Sequence, residues 1–169
     1  LRSYHNHTVH CDGKNTVEEM VRSAVGAGMR AIGFSGHGTF LPDLRYCIQP
    51  DGFPAYIQDV KACQKKYAGQ IEVYLGVEDD FYGVRPIFDR DYTLAATHYM
   101  QKDGVYYYVD YSEENFRQNV KEGFGGDPYR LTAYYFDILA QFPDRMDFDI
   151  VAHFDLVTKF NEGGKLFDE

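Results

Sequence analysis

The sequence predicts an α/β fold in which strands and helices alternate around a largely parallel sheet. Two patterns predict it: five short apolar runs typical of strands, and amphipathic helical segments between them. A complete barrel of eight β/α units takes about 250 residues. Five units in 169 residues therefore favour an open sheet or a barrel that lacks its last part. No repeat or linker divides the chain, so we expect a single domain over residues 1–169.

The first half of the chain alternates strand and helix. A strand is predicted at residues 2–7, followed by a polar turn and a helix at 16–27. Thr16 and Glu19 have the spacing of a capping box, and Gly28 stands where a C-terminal cap is expected. The pattern continues with a strand, a second helix and an alternating strand, at 31–35, 55–67 and 71–78.

The second half continues the alternation after a loop. A strand is predicted at 92–97, a Tyr-rich loop or hairpin at 105–109, helices at 112–122 and 128–142, and a strand at 148–152. In β/α barrels the reactive residues sit at the carboxyl ends of the strands and in the loops that follow. We therefore expect the functional side chains at these positions.

Charge and cysteine content limit the class of function. The 26 acidic and 17 basic residues give a formal net charge of −9, and no Lys or Arg run resembles a footprint for phosphate backbones, so nucleic acid is disfavoured as a partner. Cys11, Cys47 and Cys63 show no Cys-x-x-Cys spacing, which favours a reducing compartment, and we expect the cytoplasm. No apolar stretch or leader pattern predicts a membrane span or secretion. Composition does not predict the oligomeric state.

The strongest local motif is His5-Asn6-His7. Side chains at i and i+2 of a strand project to the same face, so the two imidazoles could grip one ion. Taken alone, such a motif is more often a pair of ordinary surface histidines. His10 and Asp12 lie in the turn that follows. We interpret His10 as exposed or as a support for a ligand, whereas Asp12 fits either a ligand or a turn-former before a helix.

Four more candidates occur at or just past the end of a predicted strand: His37, Glu78, His98 and His153. One histidine in that place is more often structural, but its recurrence after successive strands favours a metal site. Mixed imidazole and carboxylate ligands suit zinc, manganese or iron better than magnesium or calcium. Glu78 could bridge two ions because it has two oxygens. Asp79 and Asp80 compete for that role, although Asp79 would face the other side of the strand.

Five motifs, in order along the whole chain, resemble those of the polymerase-and-histidinol-phosphatase (PHP) superfamily and of its histidinol-phosphatase type. They are His5-Asn6-His7-Thr8 with Cys11-Asp12-Gly13, Ser35-Gly36-His37, Gly76-Val77-Glu78, Ala96-Thr97-His98-Tyr99, and Ala152-His153-Phe154-Asp155-Leu156. Five motifs in sequence order are far more specific than any one of them.

The resemblance implies a distorted, TIM-like β/α barrel, seven-stranded in the family, with two or three divalent transition-metal ions: zinc, manganese or iron. It implies a first ion on His5, His7 and Glu78, a second on Glu78, His98 and His153, and a third on Asp12 and His37. A hydroxide that bridges the ions would attack phosphorus, since metal coordination lowers the pKa of water. The expected catalytic residues are Glu78, His98 and His153.

Lys159 is the candidate phosphate-binding residue. It stands where members of the resembled family carry an Arg after the His-x-Asp motif. A lysine supplies charge without the bidentate fork of arginine, and the alternative is an ordinary exposed lysine. Arg85, Arg90 and Arg130 are further candidates for phosphate contact that the sequence does not separate.

Two positions depart from the family pattern. Gly36 precedes His37 where members usually carry an acidic residue, which affects a group that would support a ligand or handle a proton. The closing Asp-x-His motif, expected to serve the first and third ions, does not occur in the 169 residues. We therefore expect a domain without its C-terminal portion, either as a fragment or as a short protein with an incomplete centre.

The function expected from these residues and the resemblance is metal-dependent hydrolysis of a small phosphomonoester. Histidinol phosphate or a related metabolite is the expected substrate, with a role in histidine biosynthesis. One alternative is a PHP phosphoesterase that acts on nucleotides or oligonucleotides. Another is a non-catalytic remnant that binds metal or a phosphorylated ligand.

Overall fold

The computed structural model describes residues 1–168, and it confirms the α/β class. One sheet contains five strands: β1 (Arg2–Ser3), β2 (Ala31–Phe34), β3 (Glu72–Asp80), β4 (Tyr92–Ala96) and β7 (Ile150–Val151). They lie side by side in that order, and the pairs β1–β2, β2–β3 and β4–β7 are parallel. Each of the five predicted strands therefore has a counterpart, and parallel pairing sends their carboxyl ends in one direction.

The remaining elements of residues 1–168 are a hairpin, five α-helices and two single-turn 3-10 helices, Leu156–Thr158 and Glu162–Gly164. The hairpin consists of β5 (Tyr99–Lys102) and β6 (Val105–Tyr108). The helices are α1 (Val17–Gly26), α2 (Phe53–Lys66), α3 (Glu113–Gly123), α4 (Pro128–Leu139) and the single turn α5 (Phe142–Arg145).

The described residues form two compact units. The first comprises residues 1–95 and 148–152 and carries the five-stranded sheet with α1 and α2. The second comprises residues 96–147 and the residues from 153 onward, and carries the hairpin with α3, α4 and α5. The single-domain organisation stays a prediction.

Helix α1 begins and ends with the predicted caps. The Glu19 N–H donates to Thr16 Oγ1 at 3.3 Å, and the Thr16 N–H donates to the Glu19 carboxylate at 2.8 Å. Gly28 has a φ of +69°, a left-handed conformation that closes the helix. The buried face of the helix consists of Val17, Val21 and Ala24.

The core of the first unit lies between the two helices and strands β2 and β3. Its fully buried members include Phe34, Ile48, Tyr56, Val60 and Val77. The Tyr56 hydroxyl is 2.8 Å from the carbonyl oxygen of Phe34, on β2, and 2.9 Å from the carbonyl oxygen of Gly76, on β3. Helix α2 is thereby attached to both strands near their carboxyl ends.

The first strand is shorter than predicted, because β1 ends at Ser3. The Asn6 side chain donates to the Gly33 carbonyl at 2.8 Å and to Ser3 Oγ at 3.0 Å. The Ser35 N–H in turn donates to the Asn6 carbonyl at 3.0 Å. Side-chain bonds thus replace regular strand pairing here, and the prediction that residues 4–7 belong to a strand is wrong.

Of the two alternatives predicted for residues 105–109, a loop or a hairpin, the second unit shows a hairpin, and residues 105–108 form its second strand. Its two-residue turn is Asp103-Gly104, with φ angles of +52° and +80°, as a type I′ turn requires. Ser112 and Asp127 cap α3 and α4 through side-chain oxygens. Helix α4 ends at Leu139, three residues before the predicted end. The short helix α5 then begins at Phe142 and has a proline among its first residues.

All three cysteines are free thiols: Cys11, Cys47 and Cys63. None of the helices within residues 1–168 is both long and apolar enough to cross a membrane.

Candidate metal centre

Backbone pairing places His37 beside Glu78, where β2 and β3 run toward their loops. The two residues form a parallel bridge. The Glu78 N–H donates to the Gly36 carbonyl at 3.2 Å, and the Gly38 N–H donates to the Glu78 carbonyl at 2.8 Å. A Cβ added to Gly38 would lie 2.7 Å from a carboxylate oxygen of Asp79, so this close approach requires glycine.

Three imidazole nitrogens converge on one oxygen of Glu78. Oε2 is 3.1 Å from His5 Nε2, 3.3 Å from His7 Nε2 and 3.1 Å from His37 Nδ1. The Glu78 side chain is 0% exposed, whereas that of His5 is 36% exposed, so the cluster reaches solvent on the His5 side. Ligands at zinc bond lengths around one tetrahedral ion lie about 3.3 Å apart. Each of the three nitrogen-to-oxygen distances therefore matches the separation of two ligands on one such ion.

Asp12 lies on the far side of the same histidines. Its Oδ1 is 2.9 Å from His7 Nδ1, and its Oδ2 is 3.7 Å from His37 Nε2. The three side chains form one of the groups that could hold an ion. A carboxylate in this place can bind a cation itself. Alternatively, it can accept a hydrogen bond from His7 Nδ1 and so orient the His7 ring toward a cation. The turn-former interpretation does not account for these contacts.

The electrostatics of the cluster favour protonated imidazoles beside carboxylates. Burial alone would lower the pKa of His37, but Asp12 and Glu78 outweigh it and raise the pKa to about 9. The pKa of His7 is likewise raised far above its ordinary value, since Asp12, Cys11 and Glu78 outweigh burial. Burial would raise the pKa of Asp12, but the two histidines hold it well below its usual range. A metal ion must therefore displace protons from this cluster.

The space beside Gly36 is filled by two side chains. A Cβ at this position would lie 2.9 Å from Ile48 Cδ1 and 3.2 Å from Cys11 Sγ, so a side chain here would require both groups to shift. Cys11 Sγ is itself 3.6 Å from His7 Nδ1. In this chain a thiol thus occupies the space beside His7.

In the second unit, His98 and His153 lie against each other. Their ring centroids are 4.9 Å apart, and the rings are inclined by 70°. The His98 carbonyl accepts a hydrogen bond from the Val109 N–H at 2.9 Å, which ties it to the end of the hairpin. Both histidines follow strands, as predicted. Two adjacent imidazoles are suitable ligands for one transition-metal ion.

Lys159 is held by a residue that the sequence did not single out. Its ammonium is 3.1 Å from both the carbonyl and the Oδ2 of Asp110. The lysine side chain is about half exposed, so the structure accommodates both the phosphate-binding and the exposed-lysine interpretation. Arg130, another candidate, is exposed and pairs with Asp127 at 3.5 Å. No local sequence pattern could have identified Asp110, because 49 residues separate it from Lys159.

Asp79 contacts a different group from Glu78, in agreement with its predicted orientation. One of its carboxylate oxygens is 3.8 Å from Arg90 Nη2. Burial raises the pKa of Asp79 to about 6, although Arg90 and Arg85 act in the opposite direction. Arg90 also donates to the Pro86 carbonyl at 2.9 Å. The Arg90 side chain therefore contacts both β3 and the loop that follows it.

His10 lies outside the cluster. Its Nε2 is 2.8 Å from Asp59 Oδ2, and its ring is 5.7 Å from that of Tyr56. The expectation that it is not a ligand of the main group agrees with this placement. Its contacts fasten the loop after His7 to helix α2.

Comparison with known proteins gives the family. The PHP domain family matches residues 3–169. A Deinococcus radiodurans protein named "Probable histidinol-phosphatase" is 28% identical over 173 residues, which cover 92% of this chain and 61% of that protein. The histidinol-phosphatase of Bacillus subtilis is 25% identical over 136 residues, covering 69% of this chain and 51% of that protein. The chain thus spans between half and two thirds of the length of these relatives.

Solved structures share the fold. A crystal structure from Listeria monocytogenes superposes with a TM-score of 0.79 at 18% identity, covering 98% of this chain and 71% of that one. The crystal structure of histidinol phosphate phosphatase from Lactococcus lactis, complexed with zinc, L-histidinol and phosphate, gives a TM-score of 0.68 at 18% identity. It covers 94% of this chain and 59% of that one. On the family match and these relatives, this chain belongs to the PHP-domain family and is histidinol-phosphatase-like.

Proposed function

We propose that this chain hydrolyses a small phosphomonoester, with histidinol phosphate or a related metabolite as the substrate. The observation that carries the proposal is the convergence of three imidazoles on Glu78 in a PHP-domain chain. The names of the relatives support this substrate class, as does the Lactococcus lactis structure with zinc, L-histidinol and phosphate.

Two or three divalent transition-metal ions are the proposed cofactors. The imidazole and carboxylate donors fit zinc, manganese or iron. The proposed ligands are His5, His7, Asp12, His37, Glu78, His98 and His153. When bound, such ions supply an activated water at neutral pH and positive charge opposite the phosphoryl oxygens.

Glu78 is the proposed bridge between two ions. Because its side chain is fully buried, its negative charge requires cationic neighbours. In the first unit these neighbours are the histidines around Oε2. We infer that His98 and His153, from the second unit, provide the remaining ligands of the second ion, as the family resemblance implies.

Lys159 is the proposed phosphate-binding residue. A lysine ammonium has three donors, and two of them face Asp110. The third can bind a phosphate oxygen. We also propose a distorted seven-stranded barrel, which the TM-score of 0.79 supports. The proposed location is the cytoplasm, which the free cysteines support.

The Glu78→Gln variant tests the proposed function. We expect it to lower the hydrolysis of L-histidinol phosphate by more than about 100-fold and to reduce bound metal at the same time. Glu72→Gln is the matched control, because Glu72 lies at the exposed start of the same strand. Metal content by mass spectrometry and phosphate release are measured together. A Glu78→Gln protein that keeps both would exclude the assignment.

A substrate panel separates the two alternatives. Faster hydrolysis of nucleotides or phosphodiesters than of L-histidinol phosphate would favour a nucleotide-directed PHP phosphoesterase. Bound metal without turnover of any phosphoester would favour a non-catalytic binding protein. The net charge of −9 favours the small substrate, since it repels polyanions.

A further inference from the structure

We propose that Tyr92 is a positioning residue, whose hydroxyl holds the Tyr4 carbonyl and thereby places His5 and His7 against Glu78. The inference rests on the proposed metal site and concerns how the ligand segment keeps its shape. All the residues involved belong to the first unit.

The ligand segment needs such support because regular strand pairing ends before it. Strand β1 stops at Ser3, yet His5 and His7 both bring Nε2 to within 3.3 Å of Glu78 Oε2. Asn6 anchors the middle of the segment through its own side chain. At the start of the segment, the Tyr92 hydroxyl donates to the Tyr4 carbonyl at 2.6 Å.

The sheet is shaped to let Tyr92 reach this carbonyl. Tyr92 begins β4 and is 8% exposed, and its ring crosses over β3 and β2. A Cβ added to Gly76 would lie 2.5 Å from the Tyr92 ring, and one added to Gly33 would lie 2.5 Å from its hydroxyl oxygen. Two strands therefore carry glycine at the points that the phenol passes. Neither glycine has a positive φ angle, so a left-handed backbone conformation is not the reason for glycine at these two positions.

The hydroxyl is a dependable donor in this place. Burial raises the pKa of Tyr92 above its usual range, so the phenol keeps its proton at physiological pH. The ring of Tyr4 also packs edge-on against Tyr92 and Tyr74, with centroids 6.0 Å and 5.6 Å away. A phenylalanine at position 92 would preserve that packing and remove the hydroxyl, which also interacts with the Ser35 side chain.

The Tyr92→Phe variant provides the test. We expect its zinc dissociation constant, measured by competition with a chromophoric chelator, to rise about tenfold, as when support for a ligand is lost. We also expect the visible spectrum of the cobalt-loaded protein to change, because His5 and His7 shift. Tyr74→Phe is the matched control: the Tyr74 hydroxyl donates to the surface carboxylate of Glu72 at 3.2 Å, so both readouts should match the wild type.

The Gly33→Ala variant gives an independent check. Its methyl group would displace the Tyr92 hydroxyl, so zinc affinity should fall as it does in Tyr92→Phe. The double variant should bind zinc no more weakly than Gly33→Ala alone, because the same hydrogen bond is lost in both.

Three results would overturn the inference. The first is a Tyr92→Phe protein with wild-type zinc affinity and cobalt spectrum. The second is a loss of thermal stability in metal-free Tyr92→Phe while the cobalt spectrum stays unchanged, which would give Tyr92 a purely structural role. The third is fully additive losses in the double variant. A wild-type protein that binds zinc but hydrolyses no phosphoester would contradict the proposed function and leave the positioning role intact, whereas one that binds no metal would overturn both.

Discussion

At the scale of single residues, the main feature of the candidate site is a buried carboxylate surrounded by imidazoles. A fully buried Glu78 is costly unless positive charge compensates it. Without a metal, protons on His7 and His37 supply that charge, as their raised pKa values show. With a metal, the ion would replace those protons. The same residues thus connect metal binding to pH.

Zinc affinity should therefore increase between pH 6.5 and 9. Ions bind the neutral imidazole, and the folded pKa of His37 is about 9, so below this pH an ion must displace its proton. Each displaced proton weakens binding by about tenfold per pH unit below the pKa. Calorimetry at pH 7 in buffers of different ionisation enthalpy counts the protons released. A zinc affinity that is constant over this range would refute the raised pKa.

The positions of the candidate ligands were more predictable than their support. His37 and Glu78 follow from the rule that strand ends carry reactive residues, and parallel pairing does bring them together. The contact between Tyr92 and Tyr4 joins residues 88 apart, and that between Lys159 and Asp110 joins residues 49 apart. Such contacts depend on packing, which local sequence patterns do not contain.

At the scale of elements, helix α1 and the opening strand show what local signals predict and what they miss. The helix was predicted within one residue at each end, because its capping box and glycine cap act over three or four residues. The strand was overestimated, because Asn6 bonds through its side chain to the neighbouring strand. Alternating residue types cannot reveal this competition between side chain and backbone.

Thr16→Ala should destabilise the protein by about 1 kcal/mol in the free energy of unfolding, because it removes the N-cap acceptor. Urea denaturation of the metal-free protein measures this change. Thr16→Ser keeps an acceptor oxygen and should lie close to the wild type. Zinc affinity should be unaffected in both variants, since the hydrogen bonds of Thr16 go to Glu19, which is not a candidate ligand. Equal stability of the wild type and Thr16→Ala would show that the cap is not stabilising.

At the scale of the whole molecule, the candidate ligands are divided between two compact units. His5, His7, Asp12, His37 and Glu78 belong to the first, and His98 and His153 to the second. The order of elements and the parallel pairing could be predicted from the sequence, because strand and helix patterns are local. The extent of the barrel could not, since closure depends on pairing between strands that are distant in sequence. We propose that shared metal ions bring the two sets of ligands into one centre.

Anomalous diffraction from crystals grown with zinc or manganese tests this proposal most directly, because it locates each ion and its ligands. We predict two or more anomalous peaks, with one ion on His5, His7 and Glu78 and a second on Glu78, His98 and His153. Peaks that lie away from these side chains, or histidines of the two units bound to separate ions without Glu78 in common, would contradict it.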